Sequence, residues 1–160
     1  MSLPVDLTVN PNPAISLVAS DVLCNGESNG DVTPTIVGSG GYSYNWNTGA
    51  NTAALDSLPV GTYIVAVTDT FSCISVDSII VDQPATFVYS QTAVEDVQCY
   101  DGSDGYASYS VAGGVGNYTY AWTDSSGTWT STGRDLEFAP IGTYYVAAQD
   151  SNGCQIIDTV

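Results

Sequence analysis

The chain of 160 residues sets 17 acidic side chains against a single base, Arg134, and has no histidine, for a formal net charge of -16. Such a surface repels phosphate backbones and anionic bilayers and lacks the Lys and Arg that release counterions, which excludes nucleic acid as a partner. Without histidine or lysine there is no Ser-His-Asp or Cys-His machinery, no Schiff base and no histidine-ligated zinc. Only a carboxylate pair is left for acid–base work, and nothing sets one pair of the 17 acids apart.

Taken in order, Val5, Leu7 and Val9 alternate with Asp6 and Thr8, the period of a half-buried strand, until Asn10-Pro11-Asn12-Pro13 stops it. Residues 1–13 read as a start segment plus the closing strand of a preceding repeat, because Ser78-Ile79-Ile80-Val81 also runs into a proline, Pro84. Strands are predicted over Ile15–Ser20 and Asp31–Val37, separated by the turn Cys24 to Gly30. Pro34 has no N–H to donate, so its strand belongs at an edge or carries a bulge. Tyr42, Tyr44 and Trp46 then fall on one face of a strand with Ser43 and Asn45 on the other, which makes the aromatic face the core. Residues 47–58 form a polar loop with one short strand. Leu58-Pro59-Val60-Gly61 has the residue order of a type I turn and feeds a strand from Tyr63 to Asp69. After another turn, Cys73 opens the strand that ends at Pro84.

The same words return in the same order. Tyr118-Thr119-Tyr120-Ala121-Trp122 copies the aromatic strand and Pro140-Ile141-Gly142-Thr143-Tyr144 copies the proline turn. The offset is 75 residues from Cys24 to Cys99, 76 at the aromatic strand and 81 from Pro59 to Pro140, so five residues are inserted between Trp122 and Pro140. That insertion carries Trp129 and Arg134 and is expected to be a loop. Residues 14–84 and 85–160 are therefore two repeats. By the same alignment Val160 is the counterpart of Ile79, and the second closing strand is short of its last residues.

Short strands rich in Val, Ile and Tyr, punctuated by Gly and Asn/Asp turns and without helical periodicity, predict an all-β chain of two tandem immunoglobulin-like antiparallel β-sandwich domains. A module this small is marginal without a staple, and the expected one is a cysteine pair within each repeat, Cys24 with Cys73 and Cys99 with Cys154. Paired cysteines in small β modules point to an oxidising, extracellular location. No stretch has the length of a membrane span, so direct membrane insertion is not expected.

The motifs Cys-x-x-x-x-(Asn/Asp)-Gly (Cys24–Gly30, Cys99–Gly105), a glycine-rich turn before Tyr-x-Tyr-x-Trp, Pro-x-Gly-Thr-Tyr, and Asp-x-x-x-Cys (Asp69–Cys73, Asp150–Cys154) together resemble the SprB repeat of Bacteroidetes surface proteins. The resemblance covers about residues 15–160. It implies a very long cell-surface adhesin exported by the type IX system, concerned with attachment and gliding motility.

Candidate sites are few. The oxygen-rich turns holding Asp101 and Asp104, and Glu27, Asn29 and Asp31, have the donor types that calcium takes, against the plainer reading that Asn, Asp and Gly serve tight turns. No other cofactor is expected. Trp129 with Arg134 could stack on and bind a surface glycan; the alternatives are that Trp129 folds back onto the sandwich and that Arg134 pairs with Asp135 or Glu137. Tyr63 and Tyr144 are expected to anchor strand corners, and Asp69 and Asp150 to fix the turns before their cysteines. Asp56-Ser57-Leu58, Asp77-Ser78-Ile79 and Asp158-Thr159-Val160 match the Asp-Ser/Thr-aliphatic sequon for O-glycosylation in Bacteroidetes. Expected partners are neighbouring repeats of the same chain, surface glycans, and other copies through strand addition by Val5–Val9.

Overall fold

The computed structural model describes residues 9–38 and 40–160. Among these all regular structure is β, in two compact units: residues up to Val22 with Gly26–Gln83, and Leu23–Asn25 with Pro84–Val160. The predicted strand residues Val5 and Leu7 lie outside the described residues. Val9 is 90 % exposed and outside any strand.

In the first unit β1 (Ala14–Ser20), β2 (Gly30–Val37) and β4 (Leu55–Leu58) form one sheet in the order β1-β2-β4. β3 (Tyr42–Trp46), β5 (Gly61–Asp69) and β6 (Ile74–Val81) form the other, in the order β3-β5-β6. All pairings are antiparallel. Taken as strands A, B, E and C, F, G, these are the two sheets of an immunoglobulin-like sandwich, and Trp46 sits on the C strand where such folds bury a tryptophan. Alternation does the sorting: on β5, Tyr63, Val65, Val67 and Asp69 point inward while Thr62 and Ile64 point out. Tyr63, Val65 and Val67 meet Val22, Val32, Trp46, Leu55, Leu58 and Val81 in one core. Val81 packs so closely on Gly30 that a Cβ there would lie 2.6 Å from its Cγ1.

Pro34 sits on the middle strand of its sheet, paired with Leu17, yet β4 covers β2 only from Gly30 to Val32, with a register shift between them. The proline lies just past that cover, so no ladder donor is missed.

The second unit repeats the plan with β7 (Val88–Glu95), β8 (Gly105–Ala112) and β11 (Leu136–Ala139) against β9 (Thr119–Asp124), β12 (Tyr144–Gln149) and β13 (Gln155–Thr159). Its core gathers Ala107, Tyr109, Trp122, Leu136, Ala139, Tyr144 and Val146. The inserted stretch differs from the loop expected of it: β10 (Thr130–Ser131) pairs with β9 opposite Thr123 and Trp122, adding an edge strand. Asp124 organises that hairpin, accepting hydrogen bonds from the backbone of Thr128 (2.9 Å) and Trp129 (3.1 Å) and from the Ser126 hydroxyl (2.6 Å). Those bonds, the Ser126 one first, hold its carboxyl below the ordinary aspartate range.

Candidate functional site

Each strand corner is built from the motif that announced it. The Tyr63 hydroxyl donates to Pro59 O at 2.8 Å and the Tyr144 hydroxyl to Pro140 O at 2.7 Å. With its oxygen satisfied, each ring is buried at the start of the F strand. The aspartates before the cysteines act as matched clamps. Asp69 Oδ1 accepts the N–H groups of Phe71 and Cys73, both at 2.8 Å, and Asp150 Oδ1 those of Asn152 and Cys154, both at 2.9 Å. Asp150 Oδ2 also accepts Val115 N–H at 2.8 Å. Burial pushes the Asp150 carboxyl up, but backbone N–H groups led by those of Val115 and Cys154 outweigh it and hold it below the usual range.

The cysteine pairing departs from the expectation of one bridge per repeat. Cys24 bonds Cys154, with the Cα atoms 5.7 Å apart, while Cys73 and Cys99 are free. The reason is local. Leu23–Asn25, cut from the β1–β2 loop, belongs to the second unit. There Leu23 O accepts Asn152 Nδ2 at 2.9 Å and Asn25 Nδ2 donates to Pro84 O at 2.9 Å, which carries Cys24 to Cys154. Spacing within a repeat says nothing about a loop captured in this way. Cys73 is half-buried with Asn10 Nδ2 3.8 Å from its sulfur, and Cys99 is exposed.

The oxygen-rich turns make hydrogen bonds of their own. Asp104 Oδ1 accepts Gln98 N–H at 3.1 Å, Asn29 Nδ2 donates to Glu27 Oε2 at 2.9 Å, and Asp101 adopts φ 58°. Asp31, the second residue of β2, lies opposite Ser20. Among the described residues no three of the His, Cys, Asp and Glu side chains converge as metal ligands. Trp129 is half-buried, its ring edge-on to Tyr144 at 5.2 Å between centroids, as the folded-back reading expects. Arg134 Nε lies 3.2 Å from Asp135 Oδ1. That carboxylate also accepts the Ser108 hydroxyl at 2.6 Å, and the two bonds, Ser108 first, lower its pKa. Ser57, Ser78 and Thr159 are all exposed strand residues, Ser78 and Thr159 at corresponding places on the G strands.

Sequence reasoning did not foresee an open socket at one end of the second sandwich. A cavity of ≈ 230 Å³ is lined by Val97, Gly105, Leu136, Ala139, Tyr144 and Val160 among others. By the 75- and 81-residue offsets these correspond to Val22, Gly30, Leu55, Leu58, Tyr63 and Ile79, so the cavity is the place that Val81 fills in the first unit.

The SprB repeat model matches residues 16–51 and 91–127. No curated protein matches the chain. A solved structure described as the crystal structure of Dpr11 IG1 bound to DIP-gamma IG+IG2 aligns at 12% identity over 94% of this chain and 97% of that one, with a TM-score of 0.38. The two matched segments start 75 residues apart and fall one in each of the two tandem repeats.

Proposed function

We propose that the chain is a non-catalytic, secreted segment of a cell-surface adhesin, in which concatenated sandwiches act as stalk or fibre for attachment and for gliding motility, with export by the type IX route. What supports this reading is the duplication itself: two copies of one immunoglobulin-like module, each with its repeated tyrosine and aspartate spent on corners and turns, in a chain without histidine or lysine. A module repeated in series serves by reach and by surface. The disulfide fits an oxidising exterior. Antibodies raised against the folded chain should label intact, unpermeabilised cells of the parent organism; labelling only after permeabilisation would refute the placement. The spacer role predicts no saturable binding on a glycan array, and specific binding abolished by Trp129→Ala would replace it with a carbohydrate-binding role. Glycosylation of Ser57, Ser78 and Thr159 belongs to the same reading and predicts added hexose mass on those peptides in native material.

A further inference from the structure

The Cys24–Cys154 bridge closes a loop of 130 residues, and what lies inside and outside that loop decides how the chain carries tension. The strands from β2 to β12 fall between the two cysteines, whereas β1 (Ala14–Ser20) precedes the first and β13 (Gln155–Thr159) follows the second. A pull applied outside the pair has two routes between them. One runs along the backbone of the loop, which lengthens only by unpairing strands. The other crosses the disulfide, which does not lengthen. Tension takes the second, because the loop cannot be stretched unless the two cysteines separate.

Both ends of that short route are fixed in the fold. Cys154 is buried, Asp150 Oδ1 accepts its N–H at 2.9 Å, and Leu23 O stands 3.4 Å from its sulfur. On the other side Asn152 Nδ2 donates to Leu23 O and Asn25 Nδ2 to Pro84 O, both at 2.9 Å. The residues on either side of Cys24 are thereby bonded into the unit that holds Cys154. The segments in series with the bridge are already extended. β1 pairs with β2 along all seven of its residues, and β13 pairs with β12 from Gln155 to Thr159. At a rise of about 3.3 Å per residue, against a contour limit of about 3.6 Å, a strand pulled along its own axis has little length left to yield.

A bridge within each repeat would act differently. Pairing Cys24 with Cys73 and Cys99 with Cys154 would leave the 26 residues from Cys73 to Cys99 in series, and with them β6 and β7. Each is an edge strand of its sheet, and β6 carries Val81 into the first core, so tension would peel a strand from both sandwiches. The pairing in the structure takes β6 and β7 out of the line of tension.

We propose that the bridge is a tension bypass: force entering through β1 crosses from Cys24 to Cys154 and leaves through β13, and the sheets built from β2 to β12 stay folded beside the path. Stripping β1 and β13 from their neighbours would free only the residues outside the bridge. This mechanical function deepens the stalk reading and rests on it for the source of the tension; the bypass itself is a property of the chain.

The test is single-molecule pulling of the intact chain between its two ends under non-reducing conditions. Extension is expected to stop at about 100 Å, the contour of the residues outside the bridge. Dithiothreitol added to the same tethered molecules should raise the limit to about 550 Å, a gain of roughly 450 Å for the 130 residues released. Cys24→Ser should reach that longer limit without reductant, and reduction in place gives the same reading should the variant not fold. Cys73→Ser with Cys99→Ser should keep the short limit, since neither thiol belongs to the path. A limit of about 200 Å in the native chain would show bridges within the repeats and overturn the bypass. Extension to about 550 Å before reduction would overturn it as well, by showing that no bridge carries the tension. Labelling of intact cells judges the surface role separately, so either reading can fail without the other.

Discussion

The clamp at Asp150 gives the sharpest quantitative prediction. Its carboxylate is 6 % exposed and accepts three backbone N–H groups within 2.9 Å, from Val115, Asn152 and Cys154. Asp150→Ala strands all three donors, the Cys154 N–H in a buried position and those of Val115 and Asn152 in part-buried ones. At about 1–3 kcal/mol for a buried unsatisfied group, and less for the two that water can reach, the second unit should lose about 2–3 kcal/mol. Asp150→Asn keeps an oxygen for Asn152 and Cys154 but turns an amide toward Val115, and should cost about half as much. The pH dependence follows from the lowered pKa. Because the folded state favours the charged form, the contribution is fully present above the unfolded value of about 3.9 and is lost as pH falls through the lower folded value. Hydrogen exchange is the assay, since protection of the Val115, Asn152 and Cys154 amides reports this unit alone, and urea unfolding supplies the energy. Asp150→Ala within about 0.5 kcal/mol of the parent, with those amides still protected, would refute the account of the turn.

Other outcomes follow from the same geometry. Tyr63→Phe and Tyr144→Phe each delete one hydroxyl bond to a proline carbonyl and should cost about 1 kcal/mol in urea titrations. Tyr109→Phe should do the reverse: its hydroxyl is buried without a partner, so removal is expected to be neutral or to stabilise by up to about 1 kcal/mol. Burial likewise drives Tyr89 up to about 12, with Asp158 and Tyr109 adding to the effect. Its contribution is therefore present below the unfolded tyrosine value of about 10 and is lost as pH rises toward the folded value, visible as delayed phenolate absorbance. Ser72 holds φ 65° where the second repeat has Gly153 at φ 86°, so Ser72→Gly should gain up to about 1 kcal/mol in thermal melts. Cys24→Ser removes a link spanning 130 residues and should lower stability by at most about 5 kcal/mol by chain entropy; unchanged unfolding would show that the bridge is dispensable.

The amino-acid order by itself determined the modules. Period-two alternation names the inward residues of β5 because a pleated strand has no other way to sort its side chains, and duplication turns each such reading into two. The tyrosine corners and the Oδ1 side of each aspartate clamp were legible because they are local, with partner and anchor within four residues, whereas the Asp150 bond to Val115, 35 residues away, was not. Whatever depends on distant segments meeting was decided only in three dimensions. The five-residue insertion could have been any loop until Asp124 closed it as a hairpin edge against Trp122 and Thr123. Cys24 has its repeat-mate 49 residues on, yet its loop packs with the second unit and finds a sulfur 130 residues away. Four cysteines allow three pairings, and sequence spacing cannot choose among them because the choice is made by packing contacts of the loops that carry them. The socket is of the same kind, a void that exists only once Val97, Gly105 and Tyr144 have been brought together by the fold.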